Sequence, residues 1–290
     1  CIKKTVCIVK QRIILLISGA CMVLALFFFG RHSAPKETVA PTPQATAKSF
    51  DIQGFIDDSK KKLSSSQSLY LTTLEQGITR GDVKSQQLTA YQNLAAFWKD
   101  SAVVFEPYVY YLSEAAKLEN SEKNLNFAAQ LILDNLRSEP DEAKLNWKTG
   151  LAISLFEKAI ELNPDNDDLR IGLGSSYIFG RGRSGNPQET MKGIQELLAV
   201  SRKDPNNMKA QLMLGVGGFI SGQYDKAVER LKTVVEKEPG NLEAIAFLAD
   251  TYAAKGDKAE AVKWYKISKR LVNNPHYSEE VDQRIQELSR

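Results

Sequence analysis

The chain has 290 residues, of which 43% are hydrophobic and 25% charged, a composition typical of globular proteins with one or two domains. Its net charge of +3 is close to balance and gives no indication of a nucleic-acid partner. All three cysteines, Cys1, Cys7 and Cys21, lie near the N-terminus, which excludes disulfides and thiolate metal sites from the rest of the chain.

An apolar stretch without charge, residues 13–29, follows basic residues between Lys3 and Arg12. Its length is at the lower limit for a membrane-spanning helix. We predict a basic flank at 1–12 and a transmembrane helix at 13–30. A cleaved signal peptide is the alternative, but the small-x-small site at 45–47 lies well past the apolar stretch. The flank predicts a single-pass protein of a bacterial-type inner membrane, with a cytoplasmic N-terminus and a periplasmic domain.

Residues 31–49 are rich in Pro, Ala and Thr and are predicted to form an extended linker. Residues 50–150 have helical periodicity and are predicted to hold degenerate helix pairs. The expected helices are Ser64–Thr79, Asp82–Lys99, Phe105–Glu119, Glu122–Arg137 and Asp141–Leu162, with Ser64 and Asp82 as N-caps and Gly81 as a stop. Aromatic residues are frequent in this region, and their helical spacing favours core packing over a ligand cage.

A 34-residue period marks the second half of the chain. Pro205 and Pro239 each close a helix of the form (A/G)-x-x-x-(L/F)-x-x-(V/A)-x-x-x-x-P, and Leu beside a small residue precedes each copy, as at Leu214-Gly215. This period is typical of a helix–turn–helix solenoid, in which each repeat needs neighbours to bury its apolar face. We predict about three repeats over 151–275 and a capping helix at 276–290.

These residues resemble the tetratricopeptide repeat (TPR) family. The last repeat matches best, at Leu248-Ala249, Tyr252, Gly256, Ala261, Tyr265 and Ser268. The middle repeat has Gly218 where the family has an aromatic residue, so Phe219 is expected to turn inward. The first repeat has Gly193 where Ala is usual, and seven extra residues between its helices. The resemblance implies an all-α, right-handed solenoid that acts as a protein–protein scaffold.

The same resemblance implies a concave groove, formed by the first helix of each pair, that docks an extended peptide or a helix. Its predicted partner-binding residues are Ile171, Ser175, Phe179, Lys209, Leu212, Val216, Phe219, Glu243 and Asp250. This surface is mixed to apolar. It lacks the ring of Lys, Arg and Asn with which some family members clamp the carboxylates of a chaperone C-terminus.

Gly180–Gly185 spells G-x-G-x-x-G, but a dinucleotide site needs a strand before this motif, and a helix precedes it here. We interpret it as an inter-helix insertion. The alternative is that Arg181 and Arg183, with the following helix N-terminus, hold an anionic group of a partner or lipid. No His/Cys metal constellation or nucleophile motif is found, so we predict no metal, cofactor, small-molecule substrate or enzymatic activity.

The pattern as a whole predicts a membrane-anchored scaffold or adaptor that recruits protein partners, in secretion or envelope assembly. The alternative is a chaperone-like holder of unfolded client proteins, which an apolar groove on a long tether would serve equally well. A scaffold should prefer one peptide motif, whereas a holder of unfolded clients should accept many apolar ones.

Overall fold

The structure, a computed structural model, describes residues 49–79 and 83–289. The predicted basic flank, the predicted transmembrane helix and nearly all of the linker lie outside these residues, as do Gly81 and Asp82. Within the described residues all regular elements are helical, and none of these helices has the length and hydropathy to cross a bilayer.

The described residues form thirteen α-helices. They are α1 (Ile52–Lys60), α2 (Ser65–Thr79), α3 (Lys84–Ala96), α4 (Phe105–Glu119), α5 (Glu122–Leu136), α6 (Glu142–Leu162), α7 (Asp167–Tyr177), α8 (Pro187–Lys203), α9 (Met208–Ile220), α10 (Tyr224–Lys237), α11 (Leu242–Lys255), α12 (Lys258–Val272) and α13 (Pro275–Leu288). Two π-helical turns, Phe97–Ser101 and Ile178–Gly182, extend α3 and α7.

Side-chain caps start most of these helices. After the three repeat prolines, Asn166, Asn207 and Asn241 each accept a hydrogen bond from a backbone N–H in the first turn of the next helix. Ser64 caps α2 in the same way, with its hydroxyl 3.3 Å from the amide nitrogen of Gln67. Each of the three repeat prolines lies between two helices, and an asparagine two residues later caps the second one.

Helices α5 to α12 form four antiparallel pairs stacked in a row, which makes the chain a TPR-like solenoid. The first helices, α5, α7, α9 and α11, contact one another in succession, and each second helix also packs on the next pair. Helix α6 runs through the predicted boundary at 150/151 and pairs with α5. The solenoid thus includes one pair more than the clear repeats. Its right-handed sense stays a prediction.

Two departures from the family pattern have a packing explanation. A Cβ on Gly174 would lie 2.8 Å from the carbonyl oxygen of Gly193, and a Cβ on Gly193 would lie 2.5 Å from that of Gly174. Helices α7 and α8 therefore approach too closely for a methyl group, which is why glycine replaces alanine. At Gly218, Ala227 approaches closely, and Phe219 packs half-buried against the main core and against Phe247, with ring centroids 5.8 Å apart.

The N-terminal helices enclose a second, aromatic core. Phe97, Trp98 and Tyr111 are buried there with Ile56 and Leu71, which confirms core packing for these three aromatic residues. Helix α3 starts at Lys84, later than predicted, and widens at Phe97 into the π-helical turn, which carries the helical segment to Ser101. That turn brings two adjacent rings, 5.4 Å apart, into one core.

The capping helix α13 covers the end of the last repeat. Val281 is buried, and Ile285 and Leu288 pack half-buried against the main core, so these three residues form one apolar stripe along the helix. Asp250 of α11 accepts hydrogen bonds from Arg284 of α13, at 2.8 Å, and from the hydroxyl of Tyr265.

Candidate functional site: a groove on the first helices

A cavity of about 450 Å³ lies on the face formed by the first helices of the pairs. We call it the central groove. Its lining residues are Asn126, Gln130, Leu133, Arg137, Asp168, Ile171, Gly172, Ser175, Lys209, Leu212, Met213 and Glu243. Five of the nine residues predicted for partner binding are among them, namely Ile171, Ser175, Lys209, Leu212 and Glu243.

The floor of the central groove is packed tightly and is mostly apolar. Ile171 and Leu212 are each only 8% exposed, and Ser175 is 3% exposed. Ile171 and Ser175 lie one turn apart on α7, so they face the same side. These side chains therefore line the groove while they also hold neighbouring helices together.

Ion pairs form the rim. Lys209, at the start of α9, lies 3.0 Å from a carboxylate oxygen of Asp168 at the start of α7. Arg137 donates to the carboxylate of Glu243 at the start of α11, across 106 residues of sequence. All four side chains are partly or largely solvent-exposed, and such pairs contribute about 0–1 kcal/mol each. A ligand with suitable charges could therefore replace either partner at little cost.

Arg137 is a groove residue that the sequence did not predict. It caps the C-terminus of α5, and its guanidinium carbon lies 4.2 Å from the centroid of the Phe179 ring. Its neighbours Asn126, Gln130 and Leu133 on α5 were also missed, because the repeat pattern is degenerate in this helix. Their spacing of three or four residues is the one sequence signal of a shared face.

The other four predicted groove residues lie elsewhere. Val216 is fully buried in the core, and Phe179 is buried beneath Arg137. Phe219 packs half-buried against Phe247, and Asp250 is bound by the capping helix α13. These side chains point into packing contacts because neighbouring repeats cover more of each first helix than the sequence pattern indicates.

The structure gives Arg181 and Arg183 a different role from the anion contact considered above. Arg183 donates to the backbone carbonyls of Arg137 and Glu139, both at 2.6 Å, and so satisfies the end of α5. Arg181 lies 3.7 Å from the carboxylate of Glu189. Both guanidinium groups thus have partners within the chain.

A buried charge cluster lies next to Arg183, which donates to the backbone of one of its members, Glu139. The Lys148 ammonium, only 1% exposed, contacts the carboxylates of Glu106, at 3.1 Å, and Glu139, and the side-chain oxygen of Asn135. Burial disfavours the Glu106 carboxylate, but the ammonium groups of Lys148 and Lys144 outweigh burial and hold the pKa of Glu106 below its usual range. The cluster ties α4, α6 and the end of α5 together, and so positions Arg137.

The described residues contain no group of three His, Cys, Asp or Glu side chains placed to hold a metal ion. Helix α7, not a strand, precedes the G-x-G-x-x-G segment, in agreement with an inter-helix insertion.

Comparison with known proteins supports the repeat assignment. The sequence model for the tetratricopeptide repeat matches residues 219–279. The small glutamine-rich tetratricopeptide repeat-containing protein 2 of Mycosarcoma maydis is 32% identical over 110 residues, which is 37% of this chain and 29% of that protein. The mitochondrial ALBINO3-like protein 3 of Arabidopsis thaliana is 28% identical over 151 residues, 49% of this chain and 26% of that protein. The chain thus spans less than a third of these relatives.

Solved structures of repeat proteins are similar at low identity. A thermophilic TPR protein of Thermus thermophilus has 17% identity and a TM-score of 0.48, covering 71% of this chain and 98% of that one. MamA from Desulfovibrio magneticus RS-1, from residue 41 to its end, has 19% identity and a TM-score of 0.46, covering 64% and 95%. The helix pairing described above, rather than these similarities, establishes the fold.

Proposed function

We propose that this chain, which carries tetratricopeptide repeats, is a scaffold that binds a protein partner in the central groove. The observation that supports the proposal is the groove itself. Four successive first helices combine an apolar floor, at Ile171 and Leu212, with a rim of weak ion pairs. This combination of apolar centre and polar rim is typical of protein interfaces.

The groove fits an extended segment or one face of a helix. An apolar side chain of the partner would contact the floor and displace water from Met213 and Leu212. Charged groups of the partner would replace Glu243 on Arg137 or Asp168 on Lys209. The side-chain amide of Asn126 forms no hydrogen bond within the described chain, and it would pair with the partner's backbone.

The proposal also places the scaffold at a membrane. Its support is the sequence of residues 1–49: a basic flank, an apolar stretch and a Pro-rich linker. The linker would hold the solenoid some tens of ångströms from a bacterial-type inner membrane, on its periplasmic side. Secretion or envelope assembly are the processes such an arrangement would serve.

A photo-crosslinking experiment tests the groove. A benzoylphenylalanine side chain replaces Gln130, which is exposed in the groove, or Lys237, which is exposed on the second helix α10. In native membranes we expect one or a few discrete crosslinked proteins from position 130, and none of these from position 237. Adding Lys209→Glu should abolish them, because two acidic residues then meet at the rim.

Three outcomes contradict this proposal. The same proteins captured from both positions, or capture unaffected by Lys209→Glu, would exclude the central groove as the site. Many crosslinked proteins, displaced by any apolar peptide, would instead indicate a chaperone-like holder of unfolded clients.

A further inference from the structure

A second groove lies at the C-terminal end of the solenoid, between α12 and α13. We call it the terminal groove; its volume is about 780 Å³, and it shares no lining residue with the central groove. Val262 and Ile267 of α12 and Ile285 of α13 give it an apolar wall, and all three are half-buried. Lys266 and Arg270 stand beside this wall.

The charge of the terminal groove is strongly positive. Four of its lining residues are basic, and Asp282 is its one acidic lining residue. Lys269 pairs with Asp282 at 2.6 Å, and Lys263 pairs with Glu260 at 3.0 Å. Lys266 and Arg270 form no ion pair with any described residue. They lie one turn apart on α12, so both face a ligand in the groove.

The preceding repeat shows what occupies the equivalent surface. Lys266 follows Lys232 of α10 by one 34-residue period. Beside Lys232 lies α12, whose Glu260 and Trp264 line the same cavity as Lys232 and Tyr252. The cavity next to Lys232 is thus bordered by α12, which contributes a carboxylate and an aromatic ring four residues apart.

We propose that the terminal groove docks an acidic amphipathic helix of a partner protein. This helix would lie relative to α12 as α12 lies relative to α10. Its apolar residues contact Val262, Ile267 and Ile285, and two carboxylates one turn apart face Lys266 and Arg270. The proposal goes beyond binding in the central groove, since two separate grooves would let the chain hold two proteins together.

The test uses phage-displayed 16-residue peptides in which Glu and Trp are fixed four residues apart, as in Glu260 and Trp264, and the other positions are random. Selection is on the full chain in mild detergent. We expect enrichment of peptides with a second acidic residue one turn from the first. Their affinity, measured by fluorescence anisotropy, should fall at least tenfold for the variant Lys266→Glu with Arg270→Glu.

A matched control is Arg202→Glu with Lys237→Glu. These two cations are exposed and lie in the last turns of helices, as Arg270 does, so the control includes the cost of charge reversal near a helix C-terminus. We expect less than a twofold change in peptide affinity for the control. Peptides with Lys in place of the acidic residues should bind the Lys266→Glu, Arg270→Glu variant better than the unmodified chain, a rescue that a folding defect could not produce.

Three results would overturn the proposal. They are enriched peptides that lack acidic residues, peptides that bind the chain and its double variant equally, and a failure of charge exchange to rescue binding. Sedimentation equilibrium identifies the competing occupant: a dimer of the unmodified chain that dissociates in the double variant would mean that a second copy fills the groove.

Discussion

At the scale of single residues, Leu212 lines the central groove and also packs in the hydrophobic core beneath it. Because it is only 8% exposed, Leu212→Asp would place a carboxylate where it loses hydration and gains no partner. We expect the free energy of unfolding to fall by about 2 kcal/mol or more, measured by urea denaturation. The control Lys209→Ala, at an exposed rim position, should change it by about 0.5 kcal/mol or less. Equal stability of the two variants would show that Leu212 is not part of the core.

Lys148 is the residue whose substitution should change the free energy of unfolding in the most clearly pH-dependent way. Lys148→Met leaves the carboxylates of Glu106 and Glu139 buried without this cation, which costs about 3 kcal/mol at neutral pH. The lowered pKa of Glu106 means that its stabilising contribution is present above the ordinary glutamate pKa and is lost as pH falls through the folded-state value. The difference in free energy of unfolding between the unmodified chain and the variant should therefore be smaller at about pH 3 than at pH 7, as measured by chemical denaturation.

The comparison variant is Lys144→Met, whose ammonium is more exposed and lies 3.2 Å from Glu106. At neutral pH it should lower the free energy of unfolding clearly less than Lys148→Met does. A difference that stays constant from pH 7 to pH 3 would mean that Glu106 is not the titrating group.

Local contacts could be predicted at this scale, and distant ones could not. The sequence placed helix boundaries at the repeat prolines, and the caps Asn166, Asn207 and Asn241 lie within two residues of them, because a cap acts within one turn. Arg137 and Glu243 meet only because the stacking of several repeats sets their distance. No pattern in the sequence encodes that geometry. The same stacking of repeats also buries Val216, which the repeat register alone places in the groove.

At the scale of elements, α13 is held by Val281 and by the contacts of Asp250 with Tyr265 and Arg284. Burial and the hydrogen bond to Asp250 raise the pKa of Tyr265 to about 12. The neutral phenol therefore contributes stability that is full below the ordinary tyrosine pKa of about 10 and is lost as pH rises through the folded-state value. Tyr265→Phe should be less stable than the unmodified chain at pH 9, and this difference should shrink by pH 11.5.

Chemical denaturation at both pH values measures that difference. Other buried tyrosines, such as Tyr111, also have raised pKa values and remain in both proteins, so their alkaline losses cancel in the comparison. A gap between the two proteins that is independent of pH would exclude the Tyr265 hydroxyl as the titrating contact.

Element boundaries with caps were predictable, whereas irregular turns were not. Phe105–Glu119 was predicted to the residue, and α6 begins one residue after its predicted start because Asp141 is the cap. The π-helical turns at Phe97 and Ile178 were missed, because no residue type marks them. The close approach at Gly174 and Gly193 appeared in the sequence only as a departure from the repeat pattern.

At the scale of the whole molecule, the proposal places the solenoid outside the cytoplasm. The reason is the excess of basic residues before the apolar stretch at 13–29. Protease added to intact spheroplasts should digest the solenoid while a cytoplasmic marker protein stays whole. Protection of the solenoid until the cells are lysed would reverse the orientation.

The ion pair between Arg137 and Glu243 has a mechanical consequence. Contacts in a solenoid run mainly between neighbouring repeats, so small changes in the angle between repeats add up along the molecule. This pair instead fastens α5 to α11, past the two helix pairs that begin with α7 and α9. Because this exposed pair contributes only about 0–1 kcal/mol, it opens and closes readily, and about 1 M salt shifts it toward the open form. Small-angle scattering should record a small increase in the radius of gyration for the Glu243→Gln variant at low salt, and the unmodified chain should approach that value in high salt. Ionic strength would then bias the width of the opening that a partner meets.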